Sequence, residues 1–178
     1  LQRYIGTTET AKHRTFVFID GDVLPDQKIR AITTGDALHL GVLSSQAHVI
    51  WSLATGGTLE DRPVYNTTRC FEPFPFPDAD TGLTMALADR IRQLAEQLDR
   101  HRKTQQAAHA DVTLTALYNV LEKLRAGEAL TAKDKTMHEH GLVGVLHSLH
   151  EELDVAVLAA YGWSDLHLPA DTDELLQR

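Results

Sequence analysis

The rhythm of apolar and polar positions changes near residue 77. Before it the pattern is mixed. Thr15–Ile19 is β-branched and aromatic, a strand signature, and Asp20-Gly21-Asp22 behind it is a turn signal. Ile29–Thr34 alternates apolar with polar residues until Gly35-Asp36 interrupts the strand. Asp36 is placed to cap a helix carrying Leu38, Val42, Val49, Ile50 and Leu53, closed by Gly56-Gly57. Gly41 and Ser44-Ser45 lie inside that run and allow it to divide into two helices. Arg62 to Phe71 reads as extended, and prolines from Pro63 to Pro77 forbid a regular helix there.

After residue 77 the period is helical throughout. Leu87, Ile91, Leu94 and Leu98 form one stripe of a helix from Leu83 to Gln106, with charged residues elsewhere. Leu114, Leu117, Leu121 and Leu124 mark a second, from Val112 to Arg125, stopped by Gly127. A third opens at Thr131, with Asp134 three residues on as a loose capping box, and runs to Tyr161-Gly162-Trp163. The polar tail from Ser164 has room for a short helix at Glu174. The expected fold class is α+β: a small mixed α/β portion, residues 1–77, followed by an all-α helical bundle, residues 78–178.

Composition narrows the class. At 43% hydrophobic residues the chain has enough apolar content to fold. No apolar stretch is long enough for a membrane helix, no signal peptide is visible, and Cys70 has no partner for an internal disulfide. These features fit a reducing cytoplasm, with no membrane partner. The chain opens at Leu1, without an initiator Met and directly in a strand-like segment, so it reads as a fragment from the C-terminal end of something longer. The net charge of −8 is unevenly placed. Residues 1–77 hold seven Lys/Arg and eight Asp/Glu, so almost all the acidic excess falls in the helical half. A nucleic-acid surface, if present, belongs to the first half and is weak by itself.

Several chemistries find no adequate residues. A methyltransferase acting on adenine needs a glycine-rich cofactor loop and an Asn/Asp-Pro-Pro-aromatic tetrapeptide around the flipped base; Glu72-Pro73-Phe74-Pro75 is not that motif. Asp20 and Asp22 with Glu9 or Lys12 imitate a nuclease cluster thinly and read better as a turn. His147, His150, Glu151 and His140 share similar faces of one helix at metal-ligand spacing, yet no second helix offers a forced match. No metal site is expected. Cys70 near His48 reads as a small buried hydrophobe rather than a nucleophile. No catalytic residue is expected in this chain. Base reading fares better. Thr58 to Arg69 holds Glu60, Asp61, Arg62, Tyr65, Asn66 and Arg69, the side-chain types that make bidentate contacts in the major groove. Thr58, Thr67 and Thr68 suit phosphates or thymine methyls, and Gly56-Gly57 lets a backbone approach a duplex.

A series of motifs carries a family likeness. Arg3-Tyr4-Ile5, Lys12-His13-Arg14, Phe16-Val17-Phe18, His39 to Ser45, Gly56-Gly57 and Phe74 to Pro77 follow one another in order. Leu94–Asp99 and Tyr118–Arg125 extend the series. In this order the chain resembles the end of the target-recognition domain and the C-terminal helical region of type IIL (MmeI-type) restriction-modification enzymes. A glycine turn, a strand and a proline-rich passage into a long helix also resemble the specificity subunits of type I systems, where the helix is a spacer. The likeness implies a DNA-recognition and positioning module of an adenine-specific DNA methyltransferase. Its partners would be double-stranded DNA and the methyltransferase domain of the same parent chain. S-adenosylmethionine would belong to the parent, with no cofactor in this fragment. By position in the family, Thr58, Glu60, Arg62 and Asn66 set specificity, and Arg69 joins them by chemistry. Arg3, Lys12, His13 and Arg14 suit phosphates, which position without specifying. The alternative is a helical protein-interaction module that docks the parent's other domains without reading bases.

Overall fold

The computed structural model describes residues 1–178. β1 (Arg3–Thr8) is the middle strand of an antiparallel sheet of order β2-β1-β3, flanked by β2 (Val17–Asp20) and β3 (Ile29–Ile32). The register sets Ile5 opposite Phe18 on one side and Ile32 on the other, so three apolar side chains line one face. With Phe16, Leu40, Leu43, Tyr65 and Cys70 they form a first core.

The helical run after β3 does divide. α1 (Ala37–Ser44) begins where the Asp36 carboxylate accepts the Leu38 N–H at 2.9 Å. Ser45 is extended (φ −72°, ψ 155°), ending α1 and opening α2 (Gln46–Thr55). A short hairpin follows, β4 (Gly57–Leu59) and β5 (Arg62–Val64). The stretch from Arg62 to Phe71 departs from expectation past Asn66: Thr67–Phe71 coils into one π-helical turn. The prolines at 63 and 73 bracket this segment without entering it. Asn66 caps the turn through its side chain, accepting the Thr68 N–H at 3.0 Å.

Five helices complete the chain: α3 (Met85–Ala108), α4 (Leu114–Arg125), α5 (Ala132–Gly141), α6 (Val143–Ala160) and the short α7 (Thr172–Leu175). The single helix expected from Thr131 is two. Leu142 takes a left-handed conformation (φ 43°, ψ 50°) and breaks the run. Gly141 beside it does not take that role because it serves packing; a Cβ there would lie 2.2 Å from the Leu117 side chain. The capping box of Thr131 and Asp134 is present.

α3 is the spine. Ala95 belongs to the sheet core, while Ile91, Leu94 and Leu98 belong to a larger helical core that also takes in Val42, Ala47 and Phe74. The change of sequence character at Pro77 is therefore not a gap in the packing. α3 also satisfies the free edge of β2, whose outward peptide groups would otherwise be bare. The Asp99 carboxylate accepts the Phe18 N–H at 3.1 Å, while Arg102 and Lys103 donate to the Phe16 and Phe18 carbonyls at 2.8 Å each. Arg102 reaches on to the Tyr118 hydroxyl at 3.1 Å, and that hydroxyl lies 2.7 Å from His150 Nε2. A buried polar chain thus ties sheet, α3, α4 and α6 together. No helix is long and apolar enough to cross a membrane.

Candidate nucleic-acid interface

The β4–β5 hairpin stands out from the body of the molecule. Gly56 makes its departure from α2 possible: a Cβ there would come within 2.6 Å of the Ser52 carbonyl oxygen and 2.7 Å of Val64 O. At Gly57 a Cβ would meet nothing within 4 Å, so this second glycine answers no packing need of the chain itself. Leu59 pairs with Arg62, leaving Glu60-Asp61 as a two-residue loop. Glu60 sits there at φ 59°. A positive φ at the first loop position favours glycine, and a glutamate holding it is strained. Its carboxylate accepts from the Arg62 guanidinium at 3.0 Å, both side chains more than half exposed.

Strand geometry sorts the expected base-reading residues. Side chains alternate between faces, and directly paired residues share one. Leu59 and Arg62 share one face; Thr58, paired with Pro63, points to the other. The hairpin therefore unites Glu60 with Arg62 and turns Thr58 away from Arg62. Asn66 is committed to its cap: its Oδ1 accepts from Thr68 N at 3.0 Å and Thr68 Oγ1 at 2.7 Å. A bidentate adenine contact needs that oxygen. Arg69 is exposed on the π-turn.

The hairpin is moored by the segment after β1 and by Arg14, one of the four residues that the sequence assigned to phosphates. Thr10 bridges to Val64, Tyr65 N donates to Glu9 O at 2.7 Å, and Ala11 N donates to Pro63 O at 3.3 Å. Arg14 seals the junction. Only 7% exposed, it donates to Thr7 Oγ1 at 3.0 Å, to Thr8 O, to Glu9 O at 3.4 Å and to Pro63 O at 3.3 Å, and it lies 5.0 Å over the Tyr65 ring. Burial lowers its pKa. Arg14 is thus a clamp inside the fold rather than a phosphate contact, because it is buried and both terminal nitrogens of its guanidinium already have acceptors. Arg3 is likewise engaged, stacked 3.5 Å over Phe18 and paired with Glu96 at 2.5 Å. Lys12 and His13 both reach Asn119 Oδ1 on α4, at 2.8 Å each; Lys12 alone of the four stays more than half exposed.

Beneath the hairpin His48 Nε2 lies 2.9 Å from the Tyr65 hydroxyl, against the rings of Phe16 and Phe74. Burial, with the charge of Arg14, pushes His48 down to about 3, and burial raises Tyr65. His48 is a neutral core residue. Cys70 is buried with its thiol toward the Ser52 carbonyl, at 3.6 Å, and makes no pair with His48.

The other candidate clusters do not assemble. Glu9 pairs with Arg30 at 2.5 Å and Lys12 faces α4, so neither joins Asp20-Gly21-Asp22. Of the helical histidines, His150 is buried against Tyr118, His147 faces Glu151 at 3.7 Å, and His140 turns to Asp111 at 3.1 Å. The sequence reading missed Asp99, Arg102 and Lys103. Their spacing looked like a solvated helix face, although a charged trio at i, i+3 and i+4 beside the apolar stripe was the available signal.

Comparison with known proteins supplies the context. Residues 5–78 match the family model described as the target recognition domain of MmeI. No curated protein sequence matches the chain. A solved structure of the type IIL restriction-modification enzyme MmeI in complex with DNA superposes with a TM-score of 0.71 at 22% identity, over 98% of this chain and 20% of that one. The chain thus spans about a fifth of the protein it matches. Residues 5–78 are thus similar to the MmeI target recognition domain, and the whole chain carries a fold found within a type IIL restriction-modification enzyme.

Proposed function

We propose that this chain is the part of a type IIL restriction-modification enzyme that reads a DNA base pair through Glu60 and Arg62. The observation that carries the reading is Glu60 itself. A glutamate is held at φ 59° in an exposed two-residue loop where glycine is favoured, 3.0 Å from an arginine that is itself more than half exposed. Strain held at an exposed position is a mark of function. The pair has the chemistry for one C·G pair: the carboxylate accepts from the cytosine amino group and the guanidinium donates to guanine O6 and N7. The exposed Gly57 lies on the same hairpin, and Arg69 is exposed on the π-turn that follows it; Lys12, more than half exposed, supplies positive charge for phosphates. The helical half, with Met85 86% and Val155 70% exposed, docks the rest of the parent. That parent would carry S-adenosylmethionine, flip an adenine and methylate it in the cytoplasm.

The test uses the full-length enzyme in a host without adenine methylation, with the modified motif mapped by long-read sequencing. The charge-exchanged variant E60R/R62E is compared with the native enzyme. A motif altered at one base pair is the expected result, each wrong pair costing about 1–3 kcal/mol. An unaltered motif removes base readout from this pair. An absence of methylation from the native enzyme overturns the methyltransferase reading of the parent.

A further inference from the structure

Three chain segments that are distant in sequence converge at the far end of α3. His109 caps the C-terminus of α3, Asp111 follows in the link to α4, and His140 lies in the last turn of α5. One potential ligand atom from each lies within 4.8 Å of the other two. From this convergence we infer that His109, Asp111 and His140 form a binding site for a divalent transition-metal ion such as zinc.

The cluster holds one more ligand than a surface ion pair needs. His140 Nδ1 stands 3.1 Å from Asp111 Oδ2. Two donors each about 2.0–2.1 Å from zinc would, at that separation, subtend an angle of about 100° at the metal, between octahedral and tetrahedral values. A hydrogen bond would account for that pair alone. It does not account for His109, whose ring is stacked on His140 at 4.2 Å with an interplanar angle of 8°. A nitrogen of this second imidazole lies within 4.8 Å of the other two ligand atoms; because the lone pairs of stacked rings run parallel, turning the His109 ring out of the stack and moving it by about 1–2 Å completes the three-ligand set at the distances zinc requires. Two imidazoles and one carboxylate select a borderline ion over calcium or magnesium, which favour oxygen ligands. All three side chains are partly open to solvent, so the ion has an entry path and remaining positions for water. Bound there, it staples the end of α3, the α3–α4 link and the end of α5, beside the His101 contact to the Gly141 carbonyl at 3.1 Å.

The 178-residue chain is titrated with Zn²⁺ by calorimetry and, in parallel, with Co²⁺ by visible absorption. The expected result is one ion per chain with a Kd tighter than about 10 μM, and a melting temperature that rises with zinc. H109A and H140A should each weaken binding at least tenfold and abolish the thermal shift. H147A, a histidine outside the trio, should bind as the native chain does and so separates this site from general histidine affinity. Binding weaker than about 100 μM, or H109A and H140A chains that bind like the native one, would overturn the assignment. Because the three side chains are partly exposed, the variants fold, and their circular dichroism spectra without metal provide the check.

Discussion

Replacing Arg14 by Met separates a clamp from a DNA contact. Met keeps the apolar stem and removes every donor. Two of the acceptors, Thr7 Oγ1 and Thr8 O, are the close ones, while Glu9 O and Pro63 O are at 3.3–3.4 Å and contribute little. Hydrogen bonds from a charged donor are worth about 1.5–3 kcal/mol each, so the two close ones amount to about 3–6. Against this, Met escapes the cost of burying a charge, a cost visible in the lowered pKa of Arg14. The net loss should be about 2–4 kcal/mol, or a fall of about 5–15 °C in melting temperature for a chain of this length. Urea denaturation measures the first quantity. Amide exchange measures where it acts, because Tyr65 N–H and Ala11 N–H bridge hairpin and sheet and should lose protection first. K12A is the control; an exposed cation costs less than about 1 kcal/mol. If R14M matches the native chain within about 0.5 kcal/mol, or unfolds with those two amides still protected, the hairpin is not moored by Arg14.

Three further outcomes follow from the same geometry. E60G relieves the positive φ at the loop and should leave stability equal or up to about 1 kcal/mol higher, while recognition of one base pair in the full-length enzyme is lost; a loss of stability beyond about 1 kcal/mol in urea would show that Glu60 is structural. G57A puts a methyl into open space and should stabilise by about 0.5 kcal/mol through the unfolded chain; undiminished DNA affinity in the full-length enzyme would rule out close approach of that backbone to the duplex. Asp154, buried beneath α2 and accepting from Gln46 N at 2.7 Å, is pushed up to about 6 by burial. Its raised pKa gives stability that is complete below pH 3.8 and is lost as pH rises through about 6. The native chain should therefore lose about 2 kcal/mol relative to D154N between pH 4 and pH 7, and a constant difference between the two urea curves would sink the argument.

The elements most legible in the sequence were those whose signal is local. Asp36 and Thr131 are side-chain caps and declared two helix starts; the leucine stripe of α3 declared its buried face. The division of α5 from α6 was hidden because Leu142, a residue that avoids φ 43°, takes the left-handed position while the adjacent glycine is held by Leu117. The π-turn at Thr67–Phe71 was hidden for a related reason. Proline placement excludes regular helix over a region, and the eye extends that exclusion to residues between the prolines, where Asn66 had a cap to offer.

Side-chain roles were less legible than elements because spacing gives proximity along the chain and not the partner across it. Lys12-His13-Arg14 looks like one basic cluster, yet the backbone sends Arg14 inward to Tyr65 and Pro63 and leaves Lys12 on the surface. Asp99, Arg102 and Lys103 looked like a solvated face, yet they satisfy an edge strand more than 80 residues upstream. Burial decides such cases. A guanidinium placed where water cannot reach must find acceptors in the protein, so the cations nearest the core are withdrawn from any ligand first. The same rule favours Glu60 and Arg62: they are exposed, their only bond is to one another, and exchanging it for bonds to a base pair would leave no buried group unsatisfied. What a reading surface requires is charge that the fold does not itself need, and on this hairpin Glu60, Asp61 and Arg62 meet that condition, with Glu60 and Arg62 already facing one another.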